Sequence, residues 1–262
     1  MKLEFLDISV LVIFFAIVLS ISMYKSRKGK TGEDYFLASR KLLWPFIGLS
    51  LIAANISSEH FVGMSGQSAG NVGLAIASYE WMAAITLVFV AFFFLPKFLK
   101  SGIYTIPEFL EYRYNSSARS IMAFYIMVIY VGVTIASVLY SGGLALKAIF
   151  DLDLTKSIWA IGAIAAVYTI WGGLKAVAWA DLFQGSALII GGVIVMVLGF
   201  IAVGGVPAFF KANADKLHMI LPSDHPVLPW TALVIGLWIP NFYYWGLNQF
   251  ITQRSLAAKT LK

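Results

Sequence analysis

A chain of 262 residues that is 60% hydrophobic and only 12% charged departs from soluble domains, which average about 25% charged residues. That composition excludes intrinsic disorder, a collagen-like fibre and a disulfide-stapled secreted module, and the absence of cysteine excludes thiol nucleophiles, disulfides and cysteine metal sites. The net charge of +6 sits in short polar segments between long apolar runs, a pattern of membrane topology and not of a nucleic-acid surface.

A spanning helix needs about 20 mostly apolar residues, and seven runs qualify: roughly 5–24, 43–66, 73–95, 120–150, 158–173, 182–204 and 229–251. The first lacks a small-residue cleavage site, and its basic segment follows it, so it reads as a retained helix and not a signal peptide. Continuous apolar runs without period-two alternation exclude a β-barrel. Lys25, Arg27, Lys28, Lys30, Arg40, Lys41, Lys97, Lys100, Arg113, Arg119, Lys175, Arg254, Lys259 and Lys262 fall on one side of this topology. Only Lys2, Lys147, Lys156, Lys211 and Lys216 fall on the other. Positive charge stays in the cytoplasm, which predicts an external N-terminus, a cytoplasmic Lys262 and a multi-pass protein of the plasma (inner) membrane.

Ionisable groups at the bilayer midplane cost roughly 2.5–3.5 kcal/mol on insertion scales, so each needs a reason. The second run carries Ser50, Asn55, Ser57, Ser58, Glu59, His60 and Ser65. Polar side chains at 55 and 57–60 wrap the circumference of a regular helix and cannot all face the protein interior. They predict a helix broken near its centre and lining a wet cavity; the alternative is an unbroken helix whose polar residues bind its neighbours. Glu80 stands alone in the third run, suited to a proton, a cation or the hydroxyls of a solute, or else to a structural hydrogen bond.

Between the third and fourth runs, Ile106-Pro107-Glu108 reads as a helix start on the longest cytoplasmic connection, 96–119. Gly142-Gly143 in the fourth run and Gly191-Gly192 in the sixth read as close helix contacts. Asp181 opens the sixth run after Trp171-Gly172-Gly173-Leu174, and either caps that helix or marks a cation path; composition does not choose. The seventh run contains Pro240 and Gly246, which predict a second discontinuity. Its Asn241, Phe242, Tyr243, Tyr244, Trp245, Asn248 and Gln249 place rings beside amides, as a sugar site or an interfacial aromatic belt would. His218 and His225 lie in a polar external loop, and no catalytic motif is found, so an enzyme is not expected.

Asp34-Tyr35-Phe36-Leu37-Ala38, the stretch from Ser50 to Gly66, Ile103-Tyr104-Thr105-Ile106-Pro107-Glu108-Phe109, and the stretch from Asn241 to Arg254 together resemble the solute:sodium symporter family, and within it the sugar branch. The resemblance runs along nearly the whole chain. It implies an all-α polytopic membrane protein with a LeuT-type inverted-repeat fold, whose core helices 1 and 6 are broken at midplane. The first run is then an extra N-terminal helix and the other six are core helices 1 to 6, with helices 7 to 10 missing. The sequence is then either a fragment or a truncated, non-transporting membrane subunit.

The same resemblance implies sodium as coupling ion, held by the backbone carbonyls of Ala53 and Ile56, with Asp181 on its way out. It implies Asn55, His60, Glu80 and Asn241 as partners of sugar hydroxyls, with Tyr244 as the gate ring under the sugar and Trp245 beside it. His60 stands where bacterial galactose carriers have Gln and animal glucose carriers have His, and Ala83 where the bacterial carriers have Ser. The implied activity is sodium-coupled symport of a glucose- or galactose-type monosaccharide by alternating access, with a polyol or a sialic acid as alternative solutes. The partners are then a small solute, sodium and the lipid bilayer, with no nucleic acid.

Overall fold

The computed structural model describes residues 5–26, 31–57 and 59–259. Ser58, Lys2, Arg27, Lys28, Lys30 and Lys262 of the readings above lie outside these residues. Thirteen α-helices and several 3₁₀ and π turns make up the described chain, with one isolated parallel bridge between Leu42 and Ala258.

The first run forms α1, Phe5–Ser26, which packs along α10, Leu154–Ala202, through its buried Val18 and Ser22. A short helix, α2 (Gly32–Leu37), follows, opened by a reciprocal capping box between Thr31 and Asp34. The second run is interrupted. Helix α3 (Trp44–Asn55) starts with proline in its first turn and ends at Ile56, whose extended backbone (φ −72, ψ 117) leaves the helix. The chain resumes as a π turn, Glu59–Met64, and α4, Ser65–Ala69. At the far end of α4, Lys216 Nζ donates to the Ala69 carbonyl at 2.6 Å and so satisfies one of its orphan acceptors.

The third run continues from a 3₁₀ turn through α5 (Ser78–Phe89) and a π turn into α6 (Leu95–Ser101). Helix α7 (Ile106–Arg113) is built as its sequence suggests: Thr105 and Glu108 form a capping box, with proline in the first turn. The fourth run comprises α8 (Ser116–Ile129), a π turn and α9 (Ala136–Phe150). After the short helix α11 (Val206–Ala212), the seventh run contains α12 (Trp238–Phe242) and α13 (Gln249–Leu256). Four helical stretches, Phe5–Ser26, Gly73–Ser101, Ser116–Phe150 and Gly173–Ala202, are each long and apolar enough to cross a membrane. The others are cut into shorter pieces by their breaks.

Several expectations are revised by the structure. Gly173 (φ 56, ψ −159) kinks α10 and separates the fifth run from the sixth. The helix after it therefore starts near Gly173, and Asp181 lies two turns inside. The capping role is excluded. In the seventh run the helix does not break at Pro240; that residue sits within α12, a few residues after a π turn at Ala232–Gly236. The break falls at Asn248, whose extended backbone (φ −73, ψ 116) ends a second π turn, Tyr243–Leu247. Of the two glycine pairs, only 142–143 marks a close contact: a Cβ on Gly143 would come within 2.9 Å of Ile158, whereas Gly191 faces open space.

Gly173 occupies backbone space that is essentially restricted to glycine, and a Cβ there would lie 2.6 Å from the Tyr35 carbonyl oxygen. Gly173→Ala is expected to destabilise the fold by about 1–3 kcal/mol. Thermal melting of the purified full-length protein in detergent checks this, and an unchanged melting temperature refutes it.

Candidate functional site

The site grows from the way α3 ends. In an unbroken helix the Ser57 amide would close on the Ala53 carbonyl; here it donates instead to His60 Nδ1 at 3.2 Å. The Ser57 hydroxyl accepts from the Glu59 amide at 3.2 Å, and its carbonyl accepts from the His60 amide at 3.0 Å. Ser57 thus ties the break together from both sides. It also diverts the helical partner of Ala53's carbonyl, at the end of a helix where the dipole is negative.

Because Nδ1 of His60 accepts, the ring proton sits on Nε2, which donates to Glu80 Oε1 at 3.1 Å. Glu80 projects from the first turn of α5, and its second oxygen accepts from Asn55 Nδ2 at 3.1 Å. One carboxylate therefore gathers an amide from the last residue of α3 and an imidazole from the turn after the break. These three residues, named separately from the sequence, form one connected cluster.

Tyr244 lies in the apolar cluster that contains Leu51 and Ala54 of α3, Ala83 of α5 and the buried Trp245. Its ring meets the Trp245 ring edge to face at 5.1 Å. Ala83 is buried in that cluster. Asn241 is buried too, but its amide Nδ2 donates back to the Leu237 carbonyl of its own turn at 2.9 Å. No described hydrogen bond joins it to the Glu80 cluster. Ala53 and Ile56 flank the break, and Gly185 of α10 presses on α3 there: a Cβ on it would lie 3.1 Å from the Leu49 carbonyl.

Residues 35–262 match the sodium:solute symporter family. The chain belongs to that family. It is 47% identical over 274 residues to a sodium/glucose cotransporter of Vibrio parahaemolyticus, covering 99% of this chain and 50% of that protein. It is 34% identical over 282 residues to sodium/glucose cotransporter 1 of Ovis aries, covering 97% of this chain and 42% of that protein. A solved structure of a Na+-coupled sialic acid symporter, substrate-bound and outward-open, matches with a TM-score of 0.89 at 26% identity, covering 98% of this chain and 54% of that one. The chain spans about half the length of the curated relatives it matches.

The symporter chain is thus an all-helical, multi-pass membrane protein of LeuT type, with α1 as the extra N-terminal helix and the later elements as core helices 1 to 6. Its family is one of transporters, not enzymes.

Two features were missed or misplaced by the sequence. Arg254, counted above among the cytoplasmic loop cations, is only 4% exposed and pairs with Asp181 at 3.2 Å. Tyr130, unremarked in its apolar run, accepts the Phe250 amide at 2.9 Å and donates to Asn248 Oδ1 at 2.5 Å. Asn248 Oδ1 in turn caps α13 by accepting from Phe250 N at 3.0 Å. The clue for Arg254 was its place at the end of an aromatic, amide-rich stretch; for Tyr130 there was none, because its partners lie more than a hundred residues away.

Asn248→Ala removes this cap, at a cost of about 1 kcal/mol. The Phe250 amide of the full-length protein should then exchange its hydrogen about fivefold faster. Mass-spectrometric exchange on the 249–256 segment measures it, and wild-type protection there would mean that Tyr130 alone holds the break.

Proposed function

We propose that this chain forms the sodium- and solute-binding part of a symporter that carries a neutral, polyhydroxylated solute of monosaccharide type by alternating access. The observation that carries the reading is the meeting of Asn55, His60 and Glu80 at the break between α3 and the following π turn. A carboxylate flanked by an amide and an imidazole presents acceptors and donors side by side, which is what vicinal hydroxyls need. Tyr244 and Trp245 supply the apolar floor and the gate ring, and Asn241 completes the set once its amide turns from Leu237 toward the solute.

For sodium, the carbonyls of Ala53 and Ile56 lie where α3 ends, and unwound carbonyls at a half-helix C-terminus are the recurring cation ligands of such transporters. Sodium bound there stabilises the break and hence the solute cluster on its other side, so the two affinities are coupled reciprocally. The topology expected with this role places the N-terminus outside and the Lys262 end in the cytoplasm of the plasma (inner) membrane.

The similarity to a sialic acid symporter supplies a second reading, an anionic solute. The cluster favours a neutral one. Its charged member is the carboxylate of Glu80, and the buried guanidinium of Arg254 is already committed to Asp181.

Reconstitution of the full-length protein into liposomes tests this directly. Inward sodium gradients should drive uptake of labelled glucose or galactose, and excess sialic acid should compete weakly. Glu80→Gln should weaken sugar affinity about ten- to a hundredfold, as the loss of hydrogen bonds to a charged group implies. Sugar binding without sodium-driven uptake would mark a non-transporting binding subunit instead, and wild-type affinity in Glu80→Gln would remove the assigned site.

A further inference from the structure

One buried polar group lies outside the cluster that the solute reading uses. Ser50, Asp181 and Arg254 are 0%, 7% and 4% exposed and come from three different helices, α3, α10 and α13. Arg254 Nε donates to the Ser50 hydroxyl at 2.8 Å and Nη2 to Asp181 Oδ2 at 3.2 Å. Ser50 Oγ donates to the same Asp181 oxygen. The third nitrogen, Nη1, donates to the Phe250 carbonyl of α13 itself at 2.5 Å, so the guanidinium is fastened to its own helix and moves with it.

The positions of the breaks give this trio its meaning. Helix α3 ends at Asn55 and α13 begins after Asn248, so both are half-helices free to tilt about a break, whereas α10 runs on without interruption past Asp181. The trio pins both half-helices to the continuous one. It also sits one turn from the candidate sodium carbonyls. Ser50 and Ala53 are three residues apart on α3, and Asp181 and Gly185 are four apart on α10, the spacings that stack side chains on one helix face. Gly185 is the residue that presses on α3 there: a Cβ on it would lie 3.2 Å from the Ala53 Cβ.

A further layer lies beyond it: Leu42 N–H donates to the Ala257 carbonyl at 3.2 Å, Lys259 N–H donates to the Leu42 carbonyl at 3.3 Å, and Gln253 Nε2 donates to the Phe36 carbonyl at 2.7 Å. Ala257 itself is fully buried in an apolar cluster with Ala38, Leu42, Leu174 and Ala178.

A buried ion pair adds little to stability compared with apolar residues of the same volume, but separating its members strands a desolvated charge. Placed between parts that must part, it acts as a two-state contact. We propose that Arg254, held by Asp181 and Ser50, is the cytoplasmic latch of this transporter: while the guanidinium stays between Asp181 and Ser50, α3, α10 and α13 are fastened together and the side of the break below them is shut, and withdrawal of α13 with Arg254 opens it. The proposal rests on the alternating-access reading above but not on which solute is carried.

The absence of cysteine from this chain allows a direct test. In the full-length protein, Ala257→Cys places a single thiol of this chain under the latch, and its reaction with a membrane-impermeant maleimide is timed in vesicles of both orientations. The parent thiol should react slowly from either face. Arg254→Gln or Asp181→Asn should speed reaction about tenfold or more from one face only, and Arg254→Lys should fall between, since one ammonium reaches Asp181 without also serving Ser50. The double variant Asp181→Asn/Arg254→Gln, which buries no charge, should react as fast while melting within about 3 °C of the parent. Rates within twofold of the parent in the double variant overturn the latch, as does fast reaction accompanied by a lower melting temperature, which would make the trio merely structural. Uptake that proves sodium-independent would overturn the symport reading while leaving the labelling contrast intact.

Discussion

Everything in this molecule follows from the rule that a backbone amide or carbonyl in the bilayer must find a partner within the protein. The chain leaves the helix at Ile56, in the middle of its second apolar run, and at Asn248, near the end of its seventh. Each departure is tolerated because side chains replace the lost helical bonds. At the first, the Ser57 amide donates to His60 Nδ1, and the hydroxyl and carbonyl of Ser57 accept from the Glu59 and His60 amides. At the second, Asn248 and Tyr130 share the Phe250 amide. The side chains that mend the backbone are therefore the ones that bring polar atoms into the apolar runs.

This explains why the cluster is built around Glu80. A lone carboxylate in an apolar helix is costly, but His60 is already oriented by its bond to Ser57, so its remaining N–H is delivered to Glu80 without further ordering. Asn55, the last residue of α3, supplies the second donor. The donors that compensate the charge are the same groups a hydroxylated solute would engage, so replacing one set of hydrogen bonds by another exacts a small cost. Arg254 and Asp181 apply the same economy one turn away, with charge matched to charge in place of donor to acceptor.

Helix α10 is the frame for both. Its small residues Ala176, Ala178 and Ala180 are fully buried, and Gly185 admits the α3 backbone to close range. The stretch of α10 that runs on from Gly173 to Ala202, set against two interrupted helices, is an arrangement in which local events at the breaks move rigid pieces and not the frame.

The membrane character, the helical class, the polar break near Asn55 and the presence of His60, Glu80 and Asp181 as ionisable groups within apolar runs were legible in the sequence, because each depends on local facts. Apolar length, helix period and the cost of an ionisable group inside an apolar run are all properties of a short window. The helix start at Ile106-Pro107-Glu108 was legible for the same reason, since a capping box spans four residues. The second break was expected from Pro240 and Gly246; the helix carries on through Pro240 and leaves at Asn248, two residues after Gly246. Local reading failed for Arg254 as a loop cation, could not choose between the two readings of Asp181, and passed over Tyr130. Their partners are 73 to 204 residues distant for Arg254 and 118 to 120 for Tyr130. A residue's place in a bilayer is written in its neighbours along the chain; whether its charge or hydroxyl is exposed, paired or poised is settled by neighbours in space, and only the packing of α3 and α13 against α10 decided that.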